Sequence, residues 1–449
     1  MSLLSLRWNK ADRSWSRQGN GAVRFLSLAL LFLPGIAALR ADELEQDPIN
    51  YSKATPENTI SRLQTLLRNG KSTIPYDDDN GYLKGLLHEL KIPLSSQVLV
   101  FSKTSMQRSR ITPKTPRALY FNDETYVGYC LHGSVLEVSA TDNALGTVFY
   151  TVDQEHHSKP MLTRQTDNCL ICHASSFNHG YPGLLVRSVY PDRTGEPLLA
   201  SGSYRTDQTS PFSERWGGWY VTGTHGKQEH LGNRIYTKRN EEVEGQLPAQ
   251  NVTDLAQYFT VGLYPSPHSD LVALMVLEHQ TAMHNRVTRA TLETRRALYY
   301  QDDMNKAFQE KPGTFFDSTK RRIQSVGDEL LKCLLFSGEA KLTDTIVGTS
   351  TFAQEFSQRG PFDKQGRSLR QFDLKTRLFR YPCSYLIYSE AFDRMPEKVH
   401  EYVLQRLYRI LTNKDQDPAF SHLDLSTRQA ILDILLDTKP QLPAYWRKK

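Results

Sequence analysis

The chain has 449 residues, of which 39% are hydrophobic and 23% are charged. This length suits two or three domains, and the composition argues against wholesale disorder and against a polytopic membrane protein. The formal charge of +6 would suit a nucleic-acid partner if the basic side chains were spread over the folded part. However, the first 41 residues alone carry six basic side chains and one acidic one. The rest of the chain has a net charge of only +1, so we expect no nucleic-acid partner.

Residues 1–41 have the pattern of a secretory signal peptide. An apolar run of 15 residues, 25–39, lies between Arg24 and Arg40. It is shorter than the roughly 18 residues of a membrane span and normal for a signal peptide. We therefore expect cleavage after Ala41 and a periplasmic or otherwise exported chain with no membrane span. An uncleaved N-terminal anchor is the alternative.

The hydrophobic pattern divides the rest of the chain into three regions. Residues 42–96 are predicted to be helical, because their leucines recur at helical spacing. In residues 97–250 the period changes to two, which predicts a β-rich region whose strands form an antiparallel meander at 97–101, 126–131, 135–139 and 147–152. Residues 251–449 are predicted to be helical again, with Ser269 as the N-cap of the first helix and helices near 270–308, 317–336, 396–412 and 425–437. The fold class predicted from this order is α+β.

One motif in the chain indicates specific chemistry. Residues 169–173 read Cys-Leu-Ile-Cys-His, which is the C-x-x-C-H pattern of c-type haem attachment. Cys169 and Cys172 can each form a thioether bond to one vinyl group of haem, and His173 can ligate the iron as the proximal axial ligand. Export agrees with this reading, because c-type haem is attached on the outer side of bacterial membranes. We predict one covalent haem c in the β-rich region.

Two other readings of the two cysteines stay open. A thioredoxin-type dithiol would need a βαβ context, which the pattern does not indicate. A structural zinc site would need two further ligands, which His156, His157 or His179 can supply. The remaining cysteines, at 130, 333 and 383, are far apart in sequence, and we expect buried, unreactive side chains there.

The motif resembles that of the c-type cytochromes in general. More of the chain, including residues 168–176, 215–223 and 381–388, is similar to a family of exported bacterial proteins known mainly as cytochrome c domain proteins of unknown role. That resemblance covers most of the mature chain and implies a c-type haem, but it brings no assigned reaction. The chain differs from a small cytochrome c, because no methionine lies between Met161 and Met275. The sixth ligand is therefore left open by the resemblance.

Five side chains are candidates for the sixth, distal iron ligand. Met275, His279 and Met283 follow one another at intervals of four residues, which places them on one stripe of a helix. His225 and His230 lie in a glycine-rich segment whose backbone can approach a flat cofactor closely. The alternatives without a ligand role are that Met275, His279 and Met283 face the hydrophobic core from one side of a helix, and that His225 and His230 lie in an ordinary tight loop.

From the haem, we expect an exported single-haem cytochrome that transfers electrons to or from a redox partner protein. A haem-dependent oxidoreductase of the peroxidase type, with an open distal site, is the first alternative. A haem-based sensor or binding protein is the second.

Overall fold

The computed structural model describes residues 43–447, so the predicted leader lies outside the described residues. The chain combines a seven-stranded antiparallel sheet with helices on both sides of it, which confirms the predicted α+β class. Between residues 43 and 447, no helix is long and apolar enough to cross a membrane.

The sheet is a meander with one strand added from later in the chain. The seven strands are β1 (Val98–Val100), β2 (Arg117–Phe121), β3 (Thr125–Tyr129), β4 (Val135–Asp142), β5 (Gly146–Asp153), β6 (Leu162–Gln165) and β9 (Trp219–Tyr220). Their order in the sheet is β6-β5-β4-β3-β2-β1-β9. The meander confirms the predicted antiparallel pattern and adds β2 and β6, which the alternation had not indicated.

The two faces of the sheet belong to different hydrophobic cores. Successive residues of a strand point to opposite faces, so Leu99 joins one core while Val98 and Val100 join the other. The N-terminal helices α1 (Thr59–Arg68) and α2 (Leu83–Glu89) cover the Leu99 face. The C-terminal helices and Trp219 cover the other face.

The chain between the meander and the long helix is mostly loop. A short helix, α3 (Asn168–His173), follows β6 directly. The loops are held by two-stranded pairs, β7 (Arg187–Val189) with β8 (Ser203–Arg205), β10 (Gly223–Thr224) with β13 (Val347–Gly348), and β11 (Tyr236–Lys238) with β12 (Glu241–Glu242).

The C-terminal part is helical as predicted. Its longest helix, α4 (Leu271–Ala307), begins at Asp270, whose side chain accepts hydrogen bonds from the backbone N–H groups of Val272 and Ala273. The prediction of Ser269 as the N-cap is wrong, because its hydroxyl donates instead to the carbonyl of Tyr220. The remaining helices are α5 (Asp317–Leu334), α6 (Phe352–Gln358), α7 (Glu390–Asp393), α8 (Glu397–Leu411) and α9 (Leu425–Thr438).

A buried ion pair fixes α4 to the loops. Glu278 on α4 is fully buried, and the guanidinium of Arg215 lies 3.1 Å from its carboxylate. Arg215 also donates to the backbone carbonyls of Gln208 and Ser210. A charge taken out of water must be paired and hydrogen-bonded to be tolerated, so the loop 208–215 is held against the helix by this contact.

We expect Glu278→Ala to lower the free energy of unfolding by about 3 kcal/mol, because it leaves the Arg215 charge buried without its partner. Urea denaturation followed by circular dichroism measures the change. The matched control is Asp303→Ala, which breaks an exposed pair with Lys306 and should cost less than about 1 kcal/mol. Equal destabilisation by the two variants would contradict a structural role for the buried pair.

Candidate haem-attachment site

The C-x-x-C-H motif forms the short helix α3. Residues three and four apart lie on the same side of a helix, so this single turn brings Cys169, Cys172 and His173 to one side. Both cysteines are free thiols; Cys172 is exposed, and Cys169 is half-buried. Leu170 packs against the core on the side of the N-terminal helices, which fixes the rotation of the turn.

The imidazole of His173 is held in one tautomer. Its Nδ1 lies 2.8 Å from the carbonyl oxygen of Gly183. A carbonyl oxygen only accepts, so Nδ1 carries the proton and Nε2 keeps its lone pair. This is the arrangement in which a histidine is oriented for a metal by a backbone carbonyl. Burial lowers the pKa of His173, against the opposing effect of the bond to Gly183, so the ring is neutral at neutral pH.

A second hydrogen bond between the same two residues closes the loop 173–183. The N–H of Gly183 donates back to the carbonyl of His173 at 3.0 Å. Asn285 on α4 holds the far end of the loop, because its side chain accepts from the N–H of Leu184 and donates to the carbonyl of the same residue, both at 2.8 Å. The side chain of Asn178 donates to the carbonyl of His173 from inside the loop. His173 is therefore fixed relative to both the sheet and α4.

Part of one sheet face lies open beside the motif. The register places Glu137, Thr151 and Thr163 side by side across β4, β5 and β6, and residues opposite one another point to the same face. Glu137 and Thr151 are half-buried, and Thr163 is exposed. Phe149 shares this face, and the centroid of its ring is 4.7 Å from that of His173. The motif thus lies against Phe149, with uncovered sheet surface next to it.

An ion pair crosses this open face. Arg117 pairs with Glu137, and Ser105 donates to the same carboxylate at 2.8 Å. Burial raises the pKa of Glu137, but the Arg117 charge and the hydrogen bonds outweigh it, so the pKa is lowered. Gly128 makes room for the pair, because a Cβ there would lie 2.3 Å from the guanidinium of Arg117. The Arg117 guanidinium is a fixed positive charge near His173, and it adds to the lowering of the His173 pKa that burial causes.

The structure places His225 and His230 together, in a different part of the fold. Their ring centroids are 4.8 Å apart, and both side chains are buried. Nε2 of His225 accepts from the N–H of Asn251, and Nδ1 of His230 accepts from the N–H of Gly232, each at 3.0 Å. Each lone pair is therefore already used by a backbone donor, in contrast to that of His173.

The three candidates on α4 are buried in the core. Met275 and Met283 are at most 3% exposed and belong to the hydrophobic cluster of the C-terminal helices. His279 stacks on Phe336, with a ring separation of 4.1 Å, and its Nε2 lies 2.8 Å from the hydroxyl of Ser384. These contacts agree with the alternative in which this stripe of α4 faces the hydrophobic core.

The sequence reasoning missed the residues that surround the motif. Gly183, Phe149, and the pair of Arg117 and Glu137 carry no local pattern, since strand pairing and a loop closure bring them to His173. Two exposed methionines, Met106 and Met161, were not among the predicted ligands either. Met161 directly precedes β6 and is 60% exposed, and Met106, which is 56% exposed, precedes Gln107, whose side chain donates to Glu137.

A zinc site at the two cysteines would need four ligands close together. Within residues 43–447, one group of three or more metal-binding side chains is close enough to share an ion, and it consists of Asp153, Glu155 and His157, all exposed. It contains neither cysteine of the motif, so the described contacts do not assemble a zinc site there.

Comparison of the chain with protein-family models, with curated proteins and with solved structures finds no match in any of the three. The motif and the residues around it are therefore the basis for the proposed function.

Thiol labelling of the haem-free chain tests this geometry. We expect iodoacetamide to modify Cys172 first, because it is exposed, and Cys169 more slowly, because burial raises its pKa to about 11. The three buried cysteines, at positions 130, 333 and 383, should react only after denaturation. Mass spectrometry of tryptic peptides gives the order, and early labelling of Cys383 would contradict the described packing.

Proposed function

We propose that this protein is an exported c-type cytochrome that carries one covalent haem and transfers electrons. Cys169 and Cys172 would hold the haem through thioether bonds, and Nε2 of His173 would ligate the iron. The observation that carries the proposal is the hydrogen bond from His173 to Gly183, because it leaves a basic nitrogen free beside two free thiols. When bound, the haem supplies reversible one-electron redox chemistry at its iron.

The protein itself contributes orientation and electrostatics. The loop 173–183 fixes the imidazole plane, and Phe149 packs against it. The charges of Arg117 and Glu137 lie close enough to act on His173, so they would also act on the charge of the iron. A ligand histidine whose N–H is bonded to a backbone carbonyl is a better electron donor to a metal than a free one.

The exposure of the motif supports electron transfer over catalysis in a closed pocket. Cys172 and Ile171 are exposed, Ile171 by 74%, and Thr163 on the adjacent sheet face is exposed as well. An attached cofactor with an accessible edge can exchange electrons with a partner protein without the entry of a substrate. A redox partner that docks over this side of the molecule is part of the proposal.

Covalent attachment is tested by production in a bacterial host with cytochrome c maturation. We expect the haem to stay with the chain on a denaturing gel, and we expect Cys172→Ser and Cys169→Ser each to reduce that signal strongly. The matched control is Ile171→Ser, which changes the exposed residue between them and should keep the signal. A wild-type chain that matures without haem would contradict the proposal.

The sixth ligand is tested by spectroscopy of the oxidised protein. We propose Met106 or Met161, because both are exposed methionines close in sequence to the sheet face beside the motif: Met161 directly precedes β6, and Met106 precedes Gln107, whose side chain donates to Glu137. We expect low-spin, six-coordinate iron in the wild type, and conversion to high-spin iron by Met106→Ala or by Met161→Ala, with Met304→Ala as the control. High-spin iron in the wild type would contradict the electron-transfer proposal and favour the open distal site of an oxidoreductase or sensor. Conversion by a change at His230 or His279 instead would overturn the choice of methionine.

A further inference from the structure

A cleft rich in arginine lies behind the loop 173–183. Its volume is about 520 Å³, which is within the usual range for sites that bind small molecules. The loop, α4 and α5 form its walls, and the side chains that give it its character are those of His179, Tyr181, Arg289, Arg296, Arg321 and Arg322.

The carboxylates around the cleft do not balance its guanidinium groups. Arg296 pairs with Glu43 and Arg322 with Glu293, both at 2.7 Å. Arg289 shares a single carboxylate, that of Glu329, with the neighbouring Arg286. Arg321 lies in the same wall, and no carboxylate of residues 43–447 pairs with it.

Five guanidinium groups and three carboxylates lie in or beside the cleft, which leaves an excess of two positive charges. The positive charge of the cleft also affects His179. The pKa of His179 is lowered first by its burial and then by the charges of Arg289 and Arg286. A neutral imidazole and the hydroxyl of Tyr181, which donates to Glu293, add polar groups to the same walls.

Guanidinium groups bind carboxylate and phosphate oxygens through paired, charge-assisted hydrogen bonds. The cleft is concave and far larger than one such oxygen group, and its excess charge is two. We propose that this cleft binds a small organic molecule bearing two anionic oxygen groups, either carboxylates or phosphates. The proposal does not depend on the haem, because the groups it uses lie on α4, α5, the far side of the loop and the N-terminal segment at Glu43.

Isothermal titration calorimetry of the purified full-length chain at low ionic strength tests the proposal. The probes are succinate for dicarboxylates, pyrophosphate for phosphates, and acetate as a single anion. We expect succinate or pyrophosphate to bind in the sub-millimolar range and acetate to bind at least about tenfold more weakly, because it satisfies one anion position instead of two. The stronger of the two doubly anionic probes identifies the chemistry of the ligand.

The variants Arg321→Gln and Arg289→Gln should each weaken binding of that probe by about tenfold, which is the effect of losing one charge-assisted hydrogen bond. The matched control is Arg409→Gln, which removes an exposed guanidinium on α8, away from the cleft. Circular dichroism establishes that all three variants fold. Absence of binding by both doubly anionic probes would overturn the proposal. So would equal weakening by all three variants, which indicates only a general effect of net charge, or no weakening by Arg321→Gln and Arg289→Gln.

Discussion

The fold depends on the hydrogen bonds and the ion pair made by polar side chains in the first half of α4. Residues 271–284 of this helix are all buried, although they include Glu278, His279, Gln280 and His284. Buried polar groups need hydrogen-bond partners, and here each partner comes from a different part of the chain. They are Arg215 from the loops for Glu278, Ser384 from the C-terminal region for His279, and Tyr126 from the sheet for both Gln280 and His284. The helix therefore sets the positions of the three regions relative to one another.

The chemistry of the candidate site follows from which nitrogen of each histidine is free. His173 donates from Nδ1 to a carbonyl and keeps Nε2 as a base. His225 and His230 accept from backbone N–H groups, so each has already used the lone pair that a metal would need. All of these rings are wholly or partly buried, and burial alone does not distinguish them. The backbone group that each ring meets decides which of them is prepared to bind a metal ion.

The loop 173–183 gives the molecule two different surfaces close together. On one side, the motif lies beside an open sheet face that carries the ion pair of Arg117 and Glu137. On the other side, the loop forms a wall of a cleft with excess positive charge. Asn285 fixes the loop between them by bonding both backbone groups of Leu184. One short segment thus separates the proposed haem site from the proposed anion-binding cleft.

The sequence by itself determined the α+β class, the meander, the main C-terminal helices and the three candidate residues of the C-x-x-C-H motif. These features are local: alternation and helical periodicity show which residues are buried, and the motif needs only one turn of helix. It did not determine the N-cap of α4: Ser269 was predicted, but its hydroxyl is bonded to the carbonyl of Tyr220, and the observed N-cap is Asp270. It also left open which histidine lone pairs are free, which sheet face stays uncovered, and how arginines of two helices combine around one cleft. Those properties arise from contacts between residues far apart in the chain, and only the tertiary structure decides them.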